Sequence, residues 1–291
     1  MLISESIIIV LQIYVLKNLS IPYCLLISVF LISVDAEAQD LENNRPVPIN
    51  NLFYNIDSAL LNSFTANYGA NHLLGVAGTY YLVEEGIDWK VYRTSHQHRE
   101  ILYAGFPAVF IGGVLPIALP YYLYSTGIEE GDEKKQWTAL ALGQAAILGA
   151  TITSSYKAFT GRKPPEPFEK TKSNDFSHDF KWGILERGLF DGWPSGHTAV
   201  AFAMATTYTQ LYPEKKNQKW LSFAYATWIG VSVSVNIHWF SDAFAGALIG
   251  YSIGTSVADN FKSKIVQSSS QQSFKWSLYP TAQGIVFSAT F

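Results

Sequence analysis

Twenty-four consecutive residues, Ile101–Tyr124, carry no charged side chain, yet Pro107, Pro116 and Pro120 fall inside the run. In water, a proline inside a helix removes a backbone donor and clashes with the preceding turn, at about 3 kcal/mol or more. Within a membrane bundle, neighbouring helices satisfy the freed carbonyls and such prolines are tolerated. Roughly 20 apolar residues cross a bilayer, so the run is long enough. Trp137–Tyr156 is a second uncharged run of that order. Thr198–Tyr212, Trp220–Ile237 and Ala243–Ala258 are also charge-poor, the first and last of them short and rich in small residues, as in closely packed membrane helices. Leu73–Val83 is too short to cross and ends at Glu84-Glu85, which predicts an interfacial or buried helix. The competing reading is a soluble protein with buried helices, and the three prolines weigh against it. Both readings are all-α. Strand-like alternation occurs only at Gly284–Phe291.

Charged residues make up 15% of the chain, against roughly 25% in ordinary soluble domains. A mean hydropathy of +0.11 does not separate the two readings, whereas the placement of the charges does. A formal charge of −3 argues against nucleic acid as a partner. Cys24 is the single cysteine, which excludes an intramolecular disulfide and any Cys-based metal centre. His96 and His98 have no carboxylate or thiol cluster nearby and read as exposed loop histidines beside Arg99, so no metal is expected. The uncharged stretch Ile21–Val34 follows Lys17 and precedes an A-x-A pattern ending at Ala38, which describes either a cleaved export signal or an uncleaved anchor over residues 1–38. The expected organisation is then a polar exported lead-in (39–70), a helical membrane domain (71–261) and a tail (262–291) that starts with a Ser/Gln linker, Gln267–Ser273.

Counting spans from the exported side sends Ile101–Tyr124 inward and returns Trp137–Tyr156 outward. The Lys-rich stretch 214–219 then falls in the cytoplasm, where an excess of Lys is expected. Three polar clusters share the exported face on this count. They are Lys157 with Gly161-Arg162-Lys163-Pro164-Pro165, Trp193-Pro194-Ser195-Gly196-His197, and His238 with Asp242. Helix N-termini bind anions through amide N–H groups that lack partners. Gly196 allows close approach of a phosphate, Ser195 adds a hydroxyl donor, and a histidine at position 197 can protonate a leaving alkoxide. His238 and Asp242 stand four residues apart on one helix face, where the carboxylate can take the Nδ1 proton and free Nε2 as a nucleophile. Taken singly these features also fit interfacial anchors, a helix cap and a helix-stabilising pair.

The clusters resemble the three signature motifs of the type 2 phosphatidic acid phosphatase family, which shares a six-helix core with bacterial nonspecific acid phosphatases and vanadium haloperoxidases. The resemblance covers roughly Trp137–Ala258. It implies a metal-independent, cofactor-free phosphatase in which His238 attacks phosphorus, Asp242 orients it and His197 serves as acid and then base. Lys157, Ser195 and Gly196 would hold the phosphate oxygens. The substrate implied is a membrane lipid phosphate or pyrophosphate, and the location a bacterial-type inner membrane with the site on the exported side. Oligomeric state is not indicated.

Two positions depart from the family pattern. Pro164 stands where the first motif has arginine, and Ser232 stands where the third motif does. Neither side chain supplies arginine's planar fork. Arg162 and Lys163 are the nearest substitutes, and Lys170, Lys172, Lys181 and Arg187 in the connector are the others. The departures also admit a degenerate member that binds a headgroup or a partner without turnover. A haloperoxidase fits less well without the arginines, and a serine hydrolase lacks the first glycine of a G-x-S-x-G elbow.

Overall fold

A computed structural model of the 291-residue chain describes residues 46–166, 174–189, 192–271, 275–281 and 284–290. The leader expected over 1–38, with Cys24, lies outside the described residues, as do Lys170 and Lys172. After a 3-10 turn, Ile49–Phe53, the helices are α1 (Ile56–Phe64), α2 (Ala66–Glu84), α3 (Ile87–Gln97), α4 (Arg99–Glu129), α5 (Glu133–Thr160), the single turn α6 (Gly183–Glu186), α7 (Gly196–Leu211), α8 (Lys216–Asn236) and α9 (Phe240–Gln271). An antiparallel hairpin follows, β1 (Lys275–Thr281) with β2 (Gly284–Thr290), in a register that sets Lys275 opposite Thr290 and Thr281 opposite Gly284. The fold is helical, and among the described residues six helices have sixteen residues or more, as the family resemblance implies.

α7 and α9 form the centre. Gly246, Gly250 and Gly254 repeat every fourth residue on α9, and a Cβ at these positions would lie 2.6, 2.3 and 2.3 Å from the carbonyl oxygens of Ser195, Ala199 and Ala203 on α7. Only hydrogen fits at that distance. The two backbones therefore run against each other along three turns, and the start of α7 is fixed beside the start of α9. Ile249, Ile253, Val257 and Phe261 of α9 are fully buried against Leu142, Ala145, Leu148 and Ile152 of α5 and the residues before α1.

α5 starts with Asp132 capping the Lys135 amide at 2.9 Å and ends at Gly161, whose φ of +42° is left-handed. That stop places Lys157 in the last turn. α4 runs through all three prolines without a break and buries a narrow stripe of small residues, including Gly105, Ala108 and Gly112. Tyr103, Phe106, Phe110, Tyr121 and Tyr122 are exposed on it, and its most apolar 18-residue window is 28% buried. Among the described residues, α4 is the one helix both long and apolar enough to cross a membrane. Trp137–Tyr156, Trp220–Ile237 (but for Ile237 itself) and Ala243–Ala258 lie within α5, α8 and α9, which have the length for a span but lack the hydropathy. Thr198–Tyr212 lies almost wholly in α7, which is shorter.

Several expectations are corrected. Residues from Pro46 onward do not trail as a lead-in, because Val47 donates its amide to Gln136 at 2.8 Å and the Gln144 amide bonds the carbonyls of Leu52 and Tyr54. Leu73–Val83 belongs to a longer helix, α2, with Gly75 and Gly78 against Ala245 and Phe244 of α9, while Leu73, Leu74, Tyr80 and Tyr81 are exposed. The Ser/Gln linker is helical as far as Gln271, since α9 continues through it. The strand expected near the C-terminus forms, and Lys275–Thr281 supplies the partner that the sequence pattern did not reveal.

Replacing Gly250 by valine is expected to overpack the α7–α9 crossing and cost about 1–3 kcal/mol. The measurement is the thermal unfolding midpoint of detergent-purified protein, which should fall below wild type.

Candidate active site

Three chain breaks converge at one end of the bundle: the C-terminus of α5, the N-terminus of α7 and the α8–α9 junction. The Ser195 amide donates to the Asp242 carbonyl at 3.0 Å, which joins the second and third clusters directly. The Lys157 ammonium comes within 3.8 Å of where a Gly196 Cβ would sit, bringing in the first. Lys157, Ser195, His238 and Asp242 are buried, and Gly196 and His197 are half-buried. The opening of the site is therefore at the first residues of α7.

Ser195 is the N-cap of α7, its hydroxyl oxygen accepting from the Thr198 amide at 3.4 Å and the Thr198 hydroxyl at 3.0 Å. Its own proton remains available to an acceptor. His238 Nδ1 stands 3.2 Å from Asp242 Oδ2, which also accepts the Trp239 amide at 3.1 Å. With Nδ1 donating to the carboxylate, Nε2 carries the lone pair. Burial by itself would push the Asp242 carboxyl up, but the Arg162 guanidinium and the His238 and Trp239 hydrogen bonds together hold it below the usual carboxylate range.

His197 precedes the uncharged stretch of α7 and is pushed down to about 4, first by burial and then by the positive fields of His238 and Lys157. Gly112 and Gly113 of α4 lie against it: their Cβ positions would be 3.2 Å from His197 Cδ2 and 3.8 Å from Nε2. The apolar helix thus passes beside the ring.

Arg162 and Lys163 are not turned toward these groups. Arg162 is fully buried behind Asp242 and donates to Asp242 Oδ1 at 2.5 Å, Asp88 Oδ2 at 2.7 Å, the Ser241 hydroxyl at 2.8 Å and the Ser177 carbonyl at 2.9 Å. Four of its five N–H donors are thereby engaged, so the expectation that it replaces a phosphate-binding arginine is corrected. It neutralises the carboxylate that holds His238. Lys163 pairs with Glu166 at 2.8 Å, and its carbonyl accepts from the Trp239 indole. Arg187 bonds the Gly161 carbonyl and Asp179, and Lys181 pairs with Glu186 at the surface. Ser232 sits in a close crossing, with the Cβ position of Gly105 on α4 only 3.3 Å from its carbonyl oxygen. A crossing that tight favours a small residue at 232.

Asp88, on α3, escaped the sequence reading. It is 1% exposed and bonds Arg162 and Ser241. The available signal was the inner stripe Asp88, Tyr92 and Ser95, where an acidic residue opens a buried face. His96 also differs from expectation: it is half-buried in α3, bonding the carbonyls of Tyr92 and Glu166, while His98 is exposed. Among the described residues, no cluster of three or more His, Cys, Asp or Glu side chains is placed to hold a metal ion.

Residues 138–264 match the family model described as the PAP2 superfamily, the type 2 phosphatidic acid phosphatase class that the motifs resemble. All three clusters lie inside the matched segment. Over 68 residues the chain is 41% identical to lipid A 1-phosphatase of Porphyromonas gingivalis, a stretch amounting to 22% of this chain and 15% of that protein. No solved structure matches.

Removing Arg162 would leave two buried carboxylates uncompensated, a change that typically costs about 3–5 kcal/mol. Arg162→Leu is therefore expected to unfold at a markedly lower temperature than wild type in the same detergent.

Proposed function

We propose that the protein is a metal-independent phosphatase of a membrane lipid phosphate, working through a phosphohistidine at His238. The observation that carries this reading is the meeting of a carboxylate-held histidine, a second histidine and a buried lysine at the N-terminus of one helix. In the first step Nε2 of His238 bonds to phosphorus as the bond to the leaving oxygen breaks, and His197 gives that oxygen its proton. Water then attacks phosphorus, passes a proton to His197 and releases inorganic phosphate as the P–N bond breaks. Lys157, the Gly196 amide and the Ser195 hydroxyl hold the equatorial oxygens, where charge stabilisation supplies most of the catalysis. Lys157 stands in for part of what the motif arginines would provide.

A lipid substrate is supported by α4. Its outer face is apolar and aromatic, and its glycines abut His197. A phosphate in the headgroup layer would reach the site while the acyl chains stay beside that helix. A site on the exported side of an inner membrane is supported by the Lys-rich stretch 214–219 at the opposite end of α7 and α8. Lipid A phosphates head the candidates because of the Porphyromonas gingivalis relative, followed by phosphatidic acid, phosphatidylglycerol phosphate and polyprenyl pyrophosphate.

The second reading is a degenerate member that binds a headgroup or partner without turnover. It is favoured by Pro164, Ser232 and the inward commitment of Arg162. Phosphate release from the four lipids in detergent with EDTA separates the two. The phosphatase reading expects release by wild type and none by His238→Ala, and equal inactivity of both sinks it.

A pH dependence follows from His197. In the free enzyme it is neutral above about pH 4. The proton for the leaving group must then arrive on the substrate, whose second phosphate ionisation lies near pH 6. Between about pH 4 and 6, enzyme and monoanion together carry the one proton required. Accordingly kcat/KM should be highest in that window and fall above it as the substrate ionises, and His197→Asn should lose about 10²–10⁴-fold in rate.

A further inference from the structure

The geometry points to Asp88 as a positioning residue: acting through Arg162 and Ser241, it fixes the orientation of Asp242 and so of His238. This inference rests on the reading of His238 as the nucleophile.

Asp88 lies upstream of the matched segment, on a helix to which no role has been given. Its Oδ1 accepts the Ser241 amide at 2.8 Å, near the free N-terminal donors of α9. Its Oδ2 accepts the Ser241 hydroxyl at 2.5 Å and Arg162 Nη2 at 2.7 Å. Ser241 accepts in turn from Arg162 Nη1, and the same nitrogen reaches Asp242 Oδ1. All four side chains are 0–1% exposed.

The arrangement decides which oxygen of Asp242 serves the histidine. A guanidinium facing a single carboxylate tends to grip both oxygens with its planar fork. Here Asp88 takes the second arm of the fork, Nη2, and Ser241 shares Nη1, so Arg162 reaches only Oδ1 of Asp242. Oδ2 is left to the His238 ring and the Trp239 amide. Phe180 and Trp239 flank the guanidinium at 5.0 and 5.5 Å. Burying one cation among two carboxylates adds little stability over an apolar filling. What it supplies is a fixed direction for the Nδ1 hydrogen bond, and outer partners of this kind are typically worth about 10–100-fold in the function of the group they orient.

The test is Asp88→Asn, which keeps shape and removes charge, in full-length protein labelled with ¹⁵N-histidine in detergent. The Nδ1–H resonance of His238, assigned by its loss in His238→Asn, should be sharp in wild type and broadened in Asp88→Asn. On a lipid phosphate that wild type hydrolyses, kcat should fall about 10–100-fold with KM within about twofold. A resonance as sharp as wild type overturns the proposal, as does a loss confined to KM. If wild type hydrolyses none of the lipids, the phosphatase reading fails while the resonance still decides the role of Asp88. Should Asp88→Asn not fold, Ser241→Ala removes only the hydroxyl bridge and leaves both charges; the same broadening is expected, and an unchanged signal overturns the proposal.

Discussion

A carboxylate with no exposure to water and a histidine beside it cannot stay ionised alone, because the interior solvates charge poorly. Asp242 is such a group, and Arg162 is the cation that shares its burial. Much of the local architecture can be traced to that pairing. Gly161 ends α5 in a left-handed turn one residue before Arg162, so the arginine leaves the helix and turns inward. Gly192, at φ +111°, passes so close that a Cβ there would lie 2.8 Å from the Arg162 amide. α3 then brings Asp88 to the other arm of the guanidinium. The connector, two helix ends and an upstream helix are organised around one positive charge.

The histidines are treated differently although they lie near each other. His238 is backed by negative charge, which suits a ring that must keep Nδ1 protonated and offer Nε2. His197 is half-buried under a positive field from His238 and Lys157 and beside the glycines of α4, which suits a ring that gives up its proton readily. One site thus holds two imidazoles in oppositely charged surroundings, and the proposed division of acid and nucleophile roles rests on that difference.

The helices were readable because the uncharged runs are long, and among the described residues all five from Ile101 onward lie, but for Tyr212 and Ile237, in helices whose ends fall near charges or glycines. The meeting of the three clusters was readable too, since counting alternate crossings puts their ends together. The role of Arg162 was not, because spacing from Lys157 says that a cation is near the end of α5 but not which way its side chain turns. Asp88 was invisible for a related reason: its partners are 74 and 153 residues away, and a lone acidic residue at a helix start looks like an ordinary response to the helix dipole. The lead-in was misjudged because prolines and asparagines signal loops, whereas Val47, Leu52 and Tyr54 give their backbone groups to glutamines buried in α5.

The backbone hydrogen bonds of residues 46–54 with α5, the carboxylate from α3 and the glycines of α4 all come from upstream of residue 138. The stretch that matches the family model is therefore not a separable body. Cut out at that boundary, it would have the Gln144 amide without partners, a guanidinium with one arm empty and the His197 ring stripped of its wall. The physical unit of this protein begins at least ninety residues before its recognisable one.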